Sequence, residues 1–194
     1  AFQVLQSFII LEAEGGIAIL DQHAFHEKIL FEEIHRKLEE GASESQRLLV
    51  PDVVDLPEEL VPLLDEAAAA LRTFGFEVEH FGPRTAAIHA FPALFDRGPG
   101  RTDLASLLRA VLEGLREEAS ARKALNPVED RVYRIASTIA CKRAVKAGTP
   151  LSRPEIEFLL ARGDLAKDPR HCPHGRPTTV FFSRRDIERE FDRK

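Results

Sequence analysis

The segment FIILEAEGGIAILD, residues 8–21, determines the fold at the start of the chain. It contains two short apolar runs, residues 8–11 and 17–20, on either side of a Gly15-Gly16 pair. Apolar runs joined by glycines predict a β-hairpin, because glycine readily adopts the positive φ angles of tight turns. The segment therefore predicts two antiparallel strands.

A helix follows the hairpin directly. From residue 24 to residue 40 apolar side chains recur at helical spacing, and Gly41 then ends the pattern. A strand therefore leads into a helix through residues 21–23.

The rest of the chain mixes strands and helices without strict βαβ alternation. This predicts an α+β fold, in the broad α/β class, with more than one layer. Beyond the first helix, the patterns predict an apolar segment at 48–54 broken at Pro51, a helix at 56–73, strands at 76–81 and 85–90, a helix from 102, helices at 128–147 and 152–161, a strand at 178–182 and a charged helix from 183.

Composition excludes several classes of protein. Of 194 residues, 44% are hydrophobic and 30% are charged, which is ordinary for a globular protein, and no apolar run reaches the roughly 18 residues of a membrane span. The chain contains no methionine and begins at Ala1, so we expect it to be part of a longer protein. No signal-peptide pattern opens it, which predicts a cytoplasmic location.

The charge is unevenly distributed along the sequence. The net charge is −5, but residues 131–194 carry 15 Lys and Arg against 8 Asp and Glu. Only this last third is expected to attract a polyanion directly.

Three residues at the predicted strand-to-helix junction could act on a metal or a water. His23 and Glu27 are four residues apart and share a helix face, and Asp21 lies just before them. The alternative is a solvated first helical turn, which is the more common meaning of an isolated His-x-x-x-Glu pair. Neighbouring His26 and Glu32 are expected to belong to that solvated class.

Two later segments offer further ligands. Cys172 and His174 lie in one proline- and glycine-rich turn and suit zinc, although a lone Cys-x-His pair is weak evidence. Cys141 alone is best explained as a core thiol. If the fold brings residues 21–27, Cys141 and residues 172–174 together, these segments could hold one or two divalent metals for phosphodiester hydrolysis. A thiol enzyme that uses Cys172 and His174 is a further alternative.

These residues resemble a known family, the C-terminal domain of the mismatch-repair protein MutL of the kind that carries a nicking endonuclease. Residues 21–32 match the endonuclease motif DQHA(X)2E(X)4E at every specified position. Residues 140–142 resemble its Ala-Cys-Arg motif, residues 172–177 match CPHGRP, and residues 191–193 resemble Phe-x-Arg. Lys142 stands where the family usually has Arg, which keeps the charge but loses the bidentate fork.

The resemblance implies a homodimer with two subdomains in each protomer. A dimerisation and endonuclease subdomain would comprise residues 1–46 plus 135–194, and a regulatory subdomain, residues 47–134, would be inserted between them. The implied activity is a metal-dependent endonuclease, a hydrolase that nicks duplex DNA in mismatch repair. The rival function is a non-catalytic dimerisation and clamp-interaction module with a structural zinc.

The resemblance also implies site residues, cofactors and partners. The expected cofactors are bound Zn²⁺ and an activating Mn²⁺ or Mg²⁺, and the expected partners are DNA, the DNA polymerase sliding clamp and an N-terminal ATPase domain of the same protein, in the bacterial cytoplasm at the nucleoid. The catalytic set is Asp21, His23 and Glu27, and the metal ligands are His23, Glu27, Cys141, Cys172 and His174. The clamp-binding segment is Gln46, Leu48, Leu49, Val50 and Pro51, for which an edge strand is the alternative, and the candidate DNA contacts are Arg143, Lys146, Arg184, Arg185 and Arg193.

Overall fold

Both ends of the chain lie in the first of two units in the computed structural model of the protein. The first unit is Ala1–Glu33 with Ala144–Lys194, and the second is Ile34–Arg143. These boundaries differ from the predicted ones, which lie after residues 46 and 134. The structure describes residues 1–41, 44–93, 103–121, 127–163, 171–173 and 175–193, so His174 lies outside the described residues.

Helices and antiparallel sheets are combined in each unit, which confirms the predicted α+β class. None of the described helices is long and apolar enough to cross a membrane. In chain order the described elements are β1 (Phe2–Val4), β2 (Phe8–Ala13), β3 (Gly16–Asp21), α1 (Gln22–Glu39), β4 (Ser45–Asp55), α2 (Val61–Thr73), β5 (Glu77–Gly82), β6 (Thr85–Pro92), α3 (Leu104–Ala121), α4 (Pro127–Arg143), α5 (Arg153–Arg162), β7 (Thr179–Ser183) and α6 (Arg184–Glu190).

The first unit is built on a four-stranded antiparallel sheet in the order β1-β2-β3-β7. The predicted hairpin is confirmed as β2 and β3, and Gly15 in its turn has a φ of +79°. Gly16 is required for a different reason: a Cβ there would collide with the carbonyl oxygen of Phe182 on β7. The two glycines therefore form the turn and allow the close approach of the last strand.

One face of this sheet forms the core of the first unit. Ile9 from β2 and Leu20 from β3 are buried against α1 and α5. The helices contribute Phe25, Ile29, Ile156 and Leu159 to this core. The core of the first unit thus combines residues of the hairpin and of α1 with residues of α5, which lies more than 100 positions later in the sequence.

The second unit contains a three-stranded antiparallel sheet in the order β4-β6-β5. Buried residues of this unit include Val54, Leu64, Leu71, Ile88 and Leu112. Strand β4 lies at the edge of the sheet, and its pairing with β6 is interrupted between Arg47 and Asp52. The predicted break at Pro51 lies inside that interruption, as expected for a residue that cannot donate to a strand partner.

Several predicted helix and strand boundaries differ from the structure. The helix predicted to extend to residue 147 ends at Arg143, because side chains of α1 take the backbone groups of residues 145, 146 and 149 as partners. The short strand β1 was not predicted. Helix α5 begins as predicted with a capping box, in which hydrogen bonds from Ser152 lower the pKa of Glu155.

Candidate metal centre

The junction between β3 and α1 positions the predicted catalytic residues. Asp21 ends β3, and its Oδ1 accepts hydrogen bonds from the backbone N–H groups of His23 and Ala24, both at 2.9 Å. Asp21 is therefore the N-cap of α1, which explains why the helix starts two residues earlier than predicted.

The imidazole of His23 is oriented by the backbone of a distant segment. Its Nδ1 lies 3.0 Å from the carbonyl oxygen of Val145. A carbonyl can only accept a hydrogen bond, so Nδ1 must carry a proton, and in the neutral ring the lone pair lies on Nε2. This arrangement is the one found behind most metal-bound histidines.

Glu27 lies one helical turn after His23 and is 1% exposed. Its Oε2 is 3.6 Å from Nε2 of His23. This separation is long for a hydrogen bond, but it is close to the about 3.4 Å expected between two ligands of one tetrahedral zinc with bonds of about 2.1 Å. The imidazole nitrogen and the buried carboxylate therefore fit a divalent cation.

The expectation that His26 and Glu32 are solvated is wrong for His26. This residue is buried, and its Nδ1 accepts a hydrogen bond from the N–H of Val145 at 3.1 Å. Glu32 is mostly covered and pairs with Lys28 at 2.7 Å. His26 therefore belongs to the same arrangement of α1 side chains around Val145 as His23.

Gln22 is the residue of this site that sequence reasoning missed. Its side chain is fully buried and donates to the carbonyl oxygen of Lys146 at 2.8 Å and to that of Thr149 at 3.1 Å. The only signal in the sequence was its place inside a motif whose other polar residues had obvious chemical roles.

Cys172 is buried in a tight turn of the first unit. Its N–H donates to the carbonyl oxygen of Arg176, and its own carbonyl accepts from Gly175, which has a φ of +78°. No group of three ligand atoms that includes Cys172 lies within 4.8 Å among the described residues. His174, its predicted partner, lies outside the described residues.

Cys141, Lys142 and Arg143 end α4 in the second unit. Cys141 is a half-buried thiol that is not part of a disulfide, and Lys142 is exposed. Arg143 is also half-buried, and burial lowers the pKa of its guanidinium. Of these three residues, Lys142 is the one whose charge is most available to solvent.

The other candidate DNA contacts lie at the surface of the first unit. Lys146, Arg185 and Arg193 are exposed. Arg184 is exposed as well, but its Nε donates to Glu188 at 2.7 Å, which raises the pKa of the guanidinium. The positive charge of Arg184 is therefore partly compensated.

The predicted clamp-binding segment lies in the interrupted part of β4. Leu49 is 104% exposed and Val50 is 78% exposed, whereas Leu48 is half-covered. Gln46 and Pro51 are exposed. Two neighbouring apolar side chains thus stand in solvent on an edge strand, where packing within the unit does not account for them.

Comparisons with known proteins identify the family of the chain. The model of the family described as the MutL C terminal dimerisation domain matches residues 1–151. A DNA mismatch repair protein MutL from Koribacter versatilis is 38% identical over 98% of this chain, and one from Nitrobacter hamburgensis is 36% identical over 99%. A third, from Rhodopseudomonas palustris, is 35% identical over 99%.

The chain spans only 28% to 31% of the length of these relatives. The similarity nevertheless covers nearly all of this chain, and the family model covers well over half of it. The chain therefore belongs to the family of MutL C-terminal dimerisation domains of DNA mismatch repair.

Proposed function

We propose that this chain is a metal-dependent endonuclease domain that nicks one strand of duplex DNA in mismatch repair. The observation that carries the proposal is the pair formed by His23 Nε2 and the buried Glu27 carboxylate, 3.6 Å apart. An imidazole nitrogen and a buried carboxylate at this separation are suited to be two ligands of one divalent cation. The complete DQHA(X)2E(X)4E motif supports the same function.

The proposed ligands are His23, Glu27, Cys141, Cys172 and His174, with Asp21 beside them. When bound, Zn²⁺ would stabilise the site, and Mn²⁺ or Mg²⁺ would activate water and neutralise charge on the phosphodiester. Asp21 keeps the first turn of α1 in place through its N-cap and brings a carboxylate to the same junction.

DNA would be held weakly by the exposed cations of the first unit. Lys146, Arg185 and Arg193 are the first candidates because their side chains are exposed, whereas Arg143 is half-buried. The first unit as a whole contains 12 Lys and Arg against 14 Asp and Glu, so its net charge does not attract DNA. We therefore expect the domain to depend on partners to reach its substrate.

The sliding clamp is one proposed partner, and the other is the N-terminal ATPase domain of a full-length protein. The exposed side chains of Leu49 and Val50 support a short peptide-in-groove contact with the clamp. The length of the similar MutL proteins, more than three times that of this chain, supports the second partner.

A second copy of the chain is the third proposed partner. By strand alternation, one face of the sheet in the first unit packs on its helices, and the other presents a row of apolar residues. Phe2, Val180 and Phe182 on this second face are 57%, 50% and 43% exposed. The residues of this apolar face are Phe2, Val4, Phe8, Ile10, Ile17, Ile19, Val180 and Phe182. The description of the matching family as a dimerisation domain supports a homodimer through this face.

Nicking of supercoiled plasmid in the presence of Mn²⁺, with and without clamp, tests the proposed activity. Asp21→Asn keeps an N-cap side chain but removes the negative charge, and Glu27→Gln removes the buried charge. Both are expected to lower the nicking rate by about 100-fold or more. Glu39→Gln, on an exposed position of the same helix, is the matched control and should nick like the parent.

If Asp21→Asn and Glu27→Gln fold and nick as well as the parent, the catalytic assignment is wrong. The rival function, a non-catalytic dimerisation and clamp-interaction module, would then be favoured by the exposed Leu49 and by the apolar face of the sheet.

A further inference from the structure

The side chain of Gln22 is saturated with hydrogen bonds inside the first unit. It has no exposed surface, and its Nε2 lies 3.0, 2.8 and 3.1 Å from the carbonyl oxygens of Gln6, Lys146 and Thr149, so that its two N–H groups serve three acceptors and one is shared. Its Oε1 accepts from Nε2 of Gln3 at 2.5 Å. A buried amide with partners at both ends is held in a single orientation.

The backbone that Gln22 holds also orients the imidazole of His23. The carbonyl of Val145, which accepts from His23 Nδ1, belongs to the peptide group directly before that of Lys146. His26 holds the same segment from its other side by accepting the N–H of Val145. Fixing the Lys146 carbonyl therefore restricts the direction of the neighbouring Val145 carbonyl.

The turn between β1 and β2 supplies an independent observation. Leu5 and Gln6 have φ angles of +50° and +49°, a conformation that L-residues other than glycine adopt only at an energetic cost. The carbonyl of Gln6 in this strained turn accepts from Gln22 Nε2 and from the N–H of Gly148 at 2.8 Å. The strained backbone of Leu5 and Gln6 thus places the Gln6 carbonyl where it accepts from Gln22.

We infer that Gln22 is a positioning residue for His23: it holds the backbone of residues 145–149 so that the Val145 carbonyl keeps a proton of the ring on Nδ1, which leaves Nε2, the nitrogen nearest Glu27, as the one that can bind a cation. The effect of Gln22 on the position of the His23 ring proton can be tested in the metal-free chain. Its consequence for metal affinity rests on the proposed function, in which His23 is a ligand. Outer partners of metal-bound histidines commonly change affinity by about tenfold to a hundredfold.

The tautomer of His23 can be measured directly in the metal-free wild-type chain by ¹⁵N NMR of the imidazole. At a pH at which the ring is neutral, the expected result is a proton on Nδ1. A ring protonated on Nε2 would overturn the inference without any variant being made.

Gln22→Met keeps most of the side-chain volume and removes every hydrogen bond of the amide. In this variant His23 is expected to populate both tautomers. Ser7→Ala is the matched control, because Ser7 Oγ accepts from Gly148 in the same segment at 3.2 Å but is not linked to the Val145 carbonyl. It should keep a single tautomer, and a single tautomer in Gln22→Met would contradict the inference.

Zinc affinity, measured by competition with a chelator, separates this inference from the proposed function. Gln22→Met should bind zinc about tenfold to a hundredfold more weakly, with Ser7→Ala unchanged. If His23→Ala weakens zinc binding but Gln22→Met does not, positioning for the metal is refuted. If His23→Ala binds zinc like the wild type, the metal proposal fails, while mixed tautomers in Gln22→Met would still support the role of Gln22.

Discussion

Glu27 is an acidic residue whose side chain is almost completely buried. Glu27 is 1% exposed, and an imidazole nitrogen lies 3.6 Å from its carboxylate. A cation that binds only the folded chain stabilises it. If Glu27 is a metal ligand, as proposed, metal binding and stability are therefore linked through this residue.

Zinc is expected to raise the free energy of unfolding of the wild-type chain. At a free zinc concentration of 100 times the dissociation constant the increase is about 2.7 kcal/mol. Glu27→Gln should lose most of this increase, and Glu39→Gln should keep it, in denaturant titrations with and without zinc. An equal gain in stability for Glu27→Gln and the parent would show that Glu27 is not a ligand.

The sequence indicates the candidate ligands of the site but not the side chains that support them. Asp21, His23 and Glu27 stand out because carboxylates and imidazoles at i and i+4 spacing are recognisable as ligands. Gln22 and His26 could not be found in this way, because their partners are backbone groups of residues 145–149. Backbone groups are the same in every residue, so no pattern of side chains indicates them.

Strand β4 is the element for which the sequence left two interpretations open, an edge strand and a clamp-binding segment. It is an edge strand, and the same strand exposes Leu49 and Val50 where its pairing is interrupted between Arg47 and Asp52. Val54, beyond the interruption, is fully buried. Strand β4 thus contributes Val54 to the core and leaves Leu49 and Val50, within the interruption, in solvent.

Leu49→Ser is expected to weaken binding of the clamp by about tenfold to a hundredfold, since burial of a leucine contributes about 1.5–3 kcal/mol. The fold should be unaffected, because the side chain is fully exposed. Val53→Ser is the control on the paired part of the same strand, where the side chain is 50% exposed. Equal binding by Leu49→Ser and the parent, measured by fluorescence anisotropy or surface plasmon resonance, would exclude this segment as the clamp contact.

At the scale of the whole molecule, the fold places acidic and basic regions that are far apart in the sequence in the same unit. The basic end of the chain and the acidic beginning, far apart in the sequence, belong to one unit. Periodicity predicts local elements but carries no information on which distant strands pair, so the β3–β7 pairing was not predicted. The first unit therefore combines both charged regions, with 12 Lys and Arg against 14 Asp and Glu.

Phe182→Asp is expected to convert the proposed homodimer into a monomer. In a symmetric interface each substitution acts twice, so the dimer dissociation constant should rise by about 1,000-fold. Phe181→Asp is a stringent control, because Phe181 is 51% exposed but alternates to the opposite face of β7. Analytical ultracentrifugation measures the result, and a dimer that survives Phe182→Asp but not Phe181→Asp would place the interface elsewhere.

The pairing of β3 with β7 also determines the order in which the protein can fold during synthesis. Gly16 lies opposite Ser183, so the sheet of the first unit cannot be completed until nearly the whole chain has left the ribosome. The second unit, Ile34–Arg143, is continuous in sequence and can form earlier. During that interval the apolar hairpin of residues 8–20 has no β7 to cover its edge, which makes it the part of the nascent chain most in need of protection by a chaperone.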